Sequence, residues 1–489
     1  MNVVASIHRA GVLSTIVLPL ILADGCAVYR GKAPDEPTVE IPGSFTHHPE
    51  GDIPIDRWWT EFDQPQLSIV VDRVITNNFT LQQAWARLLQ ADALVQFDGA
   101  GLYPQVNFEG GGSNTKVSGS TPGAQRVRSG SFDQYVVGAG LTYEIDLWKR
   151  VASQRQSASR TRDASREDVE AAALSLAGQT ASLWFTLQEQ QSLRRLLSRQ
   201  IQTSETVLEL LELRFQVSQA TVLDVYQQRQ QLAGTQAQVP TVDATMRTTW
   251  HRIQVLQGIT PGGPPVGLAT NELADLPAFP DIGSPASLIL RRPDLRSALL
   301  RMQAADYEVA AAVADRYPRL RVSLSYQFSA EDFGDVLDNE TRSIAGNLLL
   351  PLVDGGRRRA VVDRREAVVA ELLAAFNESF LTAVREVEDA LVNERFSAER
   401  VDRLLAEQEA ARTNLDEAGS RYRNGLNDYL PVITALQSLQ NVEREVISAK
   451  ANLLKNRVNL YGALGGVWTR DLVRPDLTVK ETDDRSKGS

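Results

Sequence analysis

Between Arg150 and Phe215 about 65 residues pass without a proline, and the only glycine is Gly178. Apolar residues recur at Leu176, Leu183, Leu187, Leu193, Leu197, Ile201, Leu208 and Leu211, mostly in steps of three, four or seven. That is a helical period. At about 1.5 Å per residue, one unbroken helix would span roughly 97 Å, longer than an ordinary globular domain is wide. A second stretch, Arg357 to Arg423, repeats the feature, with Gly419 alone near its end. Two such rods argue for one extended body.

The rest of the composition narrows the function classes. The net charge of -10 argues against a nucleic-acid partner, which would call for a basic surface. Four histidines and one cysteine, Cys26, exclude a disulfide framework and a cysteine-based metal site, and no cofactor is expected. The apolar run Ala10 to Ala23 is too short to span a bilayer and fits the core of a secretory signal, residues 1–25. Cys26 follows it and reads as the acylated first residue of a bacterial lipoprotein, although Ala23 and Asp24 depart from the usual signal. An ordinary cut at small residues is the alternative.

Residues 26–62 read as an extended, lipid-anchored arm rich in proline and glycine. His47-His48 within it has no third ligand nearby and reads as a solvated loop. Trp58-Trp59 and Phe62 read as packing anchors. Asp63 is placed as the cap of a short helix to Ile75, and Thr80 with Gln83 as a capping box for the next, ending about Gly99. The period then changes. Tyr135, Val137, Ala139, Leu141, Tyr143, Ile145 and Leu147 alternate, as a strand with one apolar face does. Val106 and Phe108 start its partner, giving a hairpin over 104–148. The first rod follows, with a return helix from Thr221 to about Gln257 closing a first repeat, 63–257. A Pro/Gly linker spans 258–285.

The plan then recurs. Leu295, Ala298, Arg301, Ala305 and Tyr317-Pro318 match Leu81, Ala84, Arg87, Ala91 and Tyr103-Pro104, all 214 places apart. Past the hairpins, Arg421-Tyr422, Leu430, Val432 and Leu439 match Arg214-Phe215, Leu223, Val225 and Leu232 at 207. This marks a duplication, with the second repeat at 286–470 and its shorter hairpin at 318–352. Asp354-Gly355-Gly356-Arg357 reads as a chain-reversing corner, because it lacks the Gly-Lys-Ser/Thr ending of a phosphate loop. In the closing helix Leu439, Val442, Val446, Ala449, Leu453, Asn456 and Leu460 form a coiled-coil seam. The charged tail, 471–489, reads as disordered.

The expected fold is mainly helical with a small β part, each half supplying one continuous helical column and one broken one. Four strands cannot close a barrel, since closure needs about eight. Two copies would give eight strands and three would give twelve.

At this point the sequence resembles a known family, the TolC-like outer-membrane efflux proteins of Gram-negative bacteria, in their lipoprotein branch. The matching segments include Trp58-Trp59 with Phe62-Asp63, Tyr143 to Trp148, Arg292-Pro293-Asp294-Leu295-Arg296, Asp354 to Arg357, Glu386 to Leu391 and Leu460 to Trp468. The resemblance implies a homotrimer with a shared 12-stranded transmembrane β-barrel and an α-barrel tunnel crossing the periplasm. It also implies a periplasmic adaptor and an inner-membrane proton-driven pump as partners, in a tripartite multidrug-type efflux system. The family's adaptor-docking tips correspond to Arg214, Phe215 and Ser218 and to Arg421, Tyr422 and Gly425, with Ser218 standing where glycine is usual. The family's periplasmic gate sets a leucine, then an aspartate four places on, then an arginine three beyond. Here Leu430 fits, but Thr434 and Gln437 stand at the polar positions, and Asp224 in the first half could supply a substitute charge.

The function expected is a passive exit duct. The runner-up is a periplasmic scaffold or adaptor without a pore, which would have no reason for paired pore-type hairpins. Glu386 and Asp389 share a helical face, yet their basic neighbours favour ion pairing over catalysis, and no nucleophile with a histidine partner is visible.

Overall fold

The computed structural model describes residues 29, 31, 34–46, 57–117, 130–263 and 273–475. The signal segment, Cys26, His47-His48, the tip of the first hairpin, part of the linker and most of the tail lie outside the described residues. In chain order the elements are α1 (Pro65–Asn77), α2 (Phe79–Ala100), β1 (Gln105–Val117), β2 (Gly130–Ile145), α3 (Arg150–Gln216) and α4 (Val222–Leu256). They continue as α5 (Leu288–Arg291), α6 (Pro293–Ala314), β3 (Arg319–Ala330), β4 (Glu340–Leu349), α7 (Arg357–Arg423) and α8 (Leu430–Leu464).

Both rods are unbroken helices of 67 residues. The two halves agree element by element, with 22 residues in α2 and α6 and 35 in α4 and α8. Local chemistry decides the ends. Asp63 does not cap α1; it sits in the left-handed region after a 3-10 turn, and Pro65 starts the helix, where its missing N–H costs nothing. Thr80 does not cap α2 either. The Asn78 Oδ1 takes the N–H groups of Thr80 at 2.8 Å and Leu81 at 3.1 Å, so the cap stands two residues earlier. Gly258 and Gly465 end α4 and α8 at φ 71° and 78°. A Cβ there would meet the Asn77 and Arg291 carbonyl oxygens at 2.8 Å, so both helix ends require glycine.

The chain forms two compact units. One, from 39–87, 166–296 and 378–489, holds most of the aromatic core. Trp58 stacks on Tyr461 at 5.3 Å, Trp59 meets Trp468 edge-on at 4.9 Å, and Phe62 lies 4.8 Å from Phe185. These rings are buried packing anchors. Val401, Leu404 and Ala411 of α7 interlock with Val442, Val446, Ala449 and Leu453 of α8, and Asn456 closes that seam by donating to the Ser397 Oγ at 2.7 Å.

The other unit, from 1–38, 88–165 and 297–377 where described, carries the sheet. Its strands run antiparallel in the order β1-β2-β3-β4. The register puts Leu141 opposite Leu324 and Leu324 opposite Ile344, so one apolar face continues across the three strands. Among the described residues β1 and β4 are unpaired on their outer edges.

Candidate functional site

The rods end alike. Ser218 N–H donates to the Phe215 oxygen at 3.0 Å and Gln219 N–H to the Arg214 oxygen at 2.8 Å. At the second tip Gly425 N–H donates to Tyr422 at 3.1 Å and Leu426 N–H to Arg421 at 2.9 Å. Both are Schellman turns, which need a left-handed residue at their centre. Gly425 has φ 69° and Ser218 has φ 58°. The serine takes the glycine geometry in spite of its Cβ.

The tips also meet. The Arg214 guanidinium lies 4.8 Å over the Tyr422 ring, and Tyr422 packs edge-on against Tyr429 at 5.4 Å. Arg421 pairs with Glu417 on its own helix at 2.7 Å. Around this charged centre Leu213, Phe215, Val217, Leu223 and Leu426 are exposed. Exposed apolar side chains around a fixed turn are what a docking surface requires.

Next to the tips, Leu430 is 55% exposed at the start of α8. Thr434 is exposed, and its hydroxyl donates back to the Leu430 carbonyl on the same helix at 2.8 Å. The Gln437 Nε2 donates to the Gln231 Oε1 at 2.9 Å, and the Gln231 Nε2 to the Gln440 Oε1 at 2.7 Å. The Gln200 Nε2 donates to the Gln440 carbonyl at 3.2 Å. Tyr429 donates to the Gln228 Oε1 at 2.7 Å, and Gln228 to the Ser204 carbonyl at 2.8 Å. A ladder of amides thus ties α8 to α4 and α3. At its far end Gln200 also donates to the Glu443 Oε2 and accepts from Arg444, both at 2.7 Å. Asp224 is occupied elsewhere. It makes a capping box with Thr221, its Oδ2 taking the Thr221 N–H at 2.8 Å. Burial raises the Tyr429 pKa, with Tyr422 and Asp224 adding to it, so the hydroxyl stays a donor.

Of the residues singled out in the sequence, both tip sets come together with Leu430, Thr434 and Gln437 in one unit. Gln200, Gln228, Gln231, Gln440 and Tyr429 escaped notice. The glutamine-rich run Gln227 to Gln231 was the available signal. Glu386 accepts from Arg292 at 2.6 Å and Asp389 from Arg385 at 2.9 Å, so the acid pair is bound in ion pairs. Among the described residues no group of histidines, cysteines and carboxylates could hold a metal ion.

Comparison with known proteins adds the decisive observation. The family model for outer membrane efflux proteins matches residues 70–258 and 285–466. The chain belongs to the outer membrane efflux protein family. The pyoverdine export outer membrane protein OpmQ of Pseudomonas putida is 32% identical over 434 residues, covering 86% of this chain and 90% of that protein. The toluene efflux pump outer membrane protein TtgC of Pseudomonas putida is 27% identical, covering 84% and 85%. Among solved structures, the outer-membrane channel OprN superposes with a TM-score of 0.82 at 27% identity, covering 90% of this chain and 98% of its own. This efflux protein is an outer-membrane exit duct of a tripartite system, passing small molecules outward, and not a periplasmic scaffold without a pore.

Proposed function

We propose that three copies of the chain assemble into the conducting form, with the two repeats 63–257 and 286–470 of each copy placed alternately around one axis. Their four-stranded sheets join edge to edge as a 12-stranded β-barrel, and their helices form the tunnel. The observation that carries this reading is the open sheet, since among the described residues β1 and β4 each leave one edge unpaired. No open edge is tolerated in hydrocarbon. The tips at Arg214 to Ser218 and Arg421 to Gly425 dock a periplasmic adaptor, which joins the duct to an inner-membrane proton-driven pump. The duct performs no chemistry, and the pump supplies the energy. Acylation of Cys26 adds a lipid anchor to the barrel.

Leu430 forms a ring at the periplasmic mouth, and the amide ladder behind it holds the mouth closed where the family uses charge. Cargo is selected upstream, because relatives with similar chains are named for pyoverdine, toluene and antibiotic export. The test is conductance of the purified, detergent-extracted protein across a planar bilayer, sized in parallel. A trimer passing small currents that grow severalfold in Leu430→Ala supports the reading. A monomer, or a protein that never conducts, removes it.

A further inference from the structure

The rims where the strands pass into the helices carry a charge pattern that folding alone does not explain. Acidic side chains favour helix N-termini, where the backbone dipole is positive. Neither rod has an acidic residue in its first turn. Lys149-Arg150 opens α3, and Arg357-Arg358-Arg359 opens α7. Asp146 and Asp354, just outside the helices, already take N–H groups at the two starts. The basic first turns therefore go beyond what capping needs and point to a use beyond stability.

The carboxylates at this rim are already engaged. Glu144 holds Arg150 at 2.8 Å, and Asp146 takes the Val151 and Ala152 N–H groups. Asp315 pairs with Arg319 and with Arg358 at 3.3 Å, while Asp354 holds Arg358 at 3.1 Å. These contacts also bring the starts of α3, β3 and α7 and the end of α6 together within one unit. Lys149, Arg316, Arg357 and Arg359 remain exposed, and no described carboxylate lies within ion-pair distance of them. Residues 144–152, 315–321 and 354–359 hold eight cations against four carboxylates. In a chain of net charge -10 this patch stands out by sign.

What adjoins the cations is apolar and aromatic. Past β4 the apolar side chains continue through Leu348, Leu350, Leu352 and Val353, which are 69%, 48%, 83% and 94% exposed. The Asp354-Gly355-Gly356 corner then leads to Arg357. Beside it Trp148 stacks on Tyr317 at 5.0 Å and donates to the Pro318 carbonyl at 2.7 Å. An apolar band ending in an aromatic pair and then in free cations is the profile of a bilayer boundary.

We infer that this rim, through Lys149, Arg316, Arg357 and Arg359, binds the phosphodiester headgroups of anionic phospholipids in the membrane leaflet on the helix side of the barrel. The inference rests on the duct reading, because it needs the strands to lie in a bilayer. The aliphatic corner takes acyl chains, the Trp148–Tyr317 pair sits at headgroup level, and the guanidinium groups meet the phosphates.

The test uses the full-length protein in phosphatidylethanolamine bilayers containing a minority of lipid brominated on its acyl chains, either phosphatidylglycerol or phosphatidylethanolamine. The readout is quenching of tryptophan fluorescence, with Trp148→Phe identifying the signal from this rim. Brominated phosphatidylglycerol should quench at a severalfold lower mole fraction. That preference should fade in about 0.5 M salt, where the Debye length is roughly 4 Å. The triple variant Arg316→Gln, Arg357→Gln, Arg359→Gln should lose the preference while still conducting, and the three lysine replacements should keep it. Equal quenching by both lipids in a protein that conducts overturns the inference and leaves the duct intact. So does a preference surviving the triple glutamine variant, or a changed conductance with unchanged preference, which would place the cations along the duct. Absence of quenching by either lipid overturns the duct reading as well.

Discussion

Ser218 shows how much a single backbone angle can demand. A non-glycine residue in the left-handed region carries a cost of order 1 kcal/mol, and Gly425 avoids it at the matching turn. Ser218→Gly should therefore rigidify the first tip by up to about 1 kcal/mol. Hydrogen exchange at Ser218 and Gln219 reads this, and faster exchange in the glycine variant would refute it. Gly425→Val should act oppositely, since a branched side chain is disfavoured at that φ. The amide ladder makes a separate residue-scale prediction. Gln440 is buried, and Gln231→Leu leaves its amide oxygen without that donor, at a cost of about 1–3 kcal/mol. Single-channel recordings should show larger or more frequent openings in Gln231→Leu. Wild-type opening should also be the same at pH 6 and pH 8, because no ladder member titrates there. Tyr429 is the titratable neighbour, and its raised pKa favours the neutral hydroxyl. Its contribution is thus complete below the ordinary tyrosine range and is lost only as pH rises through the raised value. A steep change of opening between pH 6 and pH 8 would mean that a charge, not the ladder, holds the mouth. Of this ladder only Gln437 was singled out in the sequence, and its partners were not, because a glutamine carries no charge or period to announce them.

At the scale of elements, the rods and strands were legible because their periods run long enough to dominate local noise. The 67-residue helices and the two hairpins lie where the proline-free stretches and the alternating residues do. Caps were less legible. Asp63 and Thr80 are good capping types, but Pro65 starts the first helix without any side-chain cap and Asn78 caps the second, and only geometry decides between neighbours. Arg457 was invisible for a different reason, since its partners lie far away in sequence. It is 1% exposed, bonds Glu394 through two nitrogens, and donates to the Pro277 and Ala278 carbonyls at 2.8 and 2.7 Å. This one side chain thereby joins α7, α8 and the end of the linker. Burial opposes its charge, yet the Glu394 partner outweighs burial and raises its pKa. Arg457→Leu should cost about 3–5 kcal/mol, because it strands a buried carboxylate. Adding Glu394→Leu should recover much of that loss. Thermal unfolding of the detergent-solubilised protein compares the two, and equal losses in single and double variants would show that packing, not charge, is what matters there.

For the whole molecule the question is what covers β1 and β4. They have 13 and 10 residues, and each is paired on one side only among the described residues. Roughly every second N–H on such an edge points away from its partner strand. In water those groups would exchange quickly, and in hydrocarbon each would cost several kcal/mol. A closed barrel removes both costs by pairing β1 of one copy with β4 of the next. Amide exchange followed by mass spectrometry on the membrane-reconstituted protein distinguishes the cases. If three copies close the barrel, peptides from β1 and β4 should be protected to within about tenfold of those from β2 and β3. Dissociating the assembly should then release the outer strands first and leave the β2–β3 pair protected longer. If β1 and β4 instead exchange orders of magnitude faster while the protein is assembled in the bilayer, their edges are open and the sheet is not a pore wall. The long helices would then need another partner to explain their exposed faces.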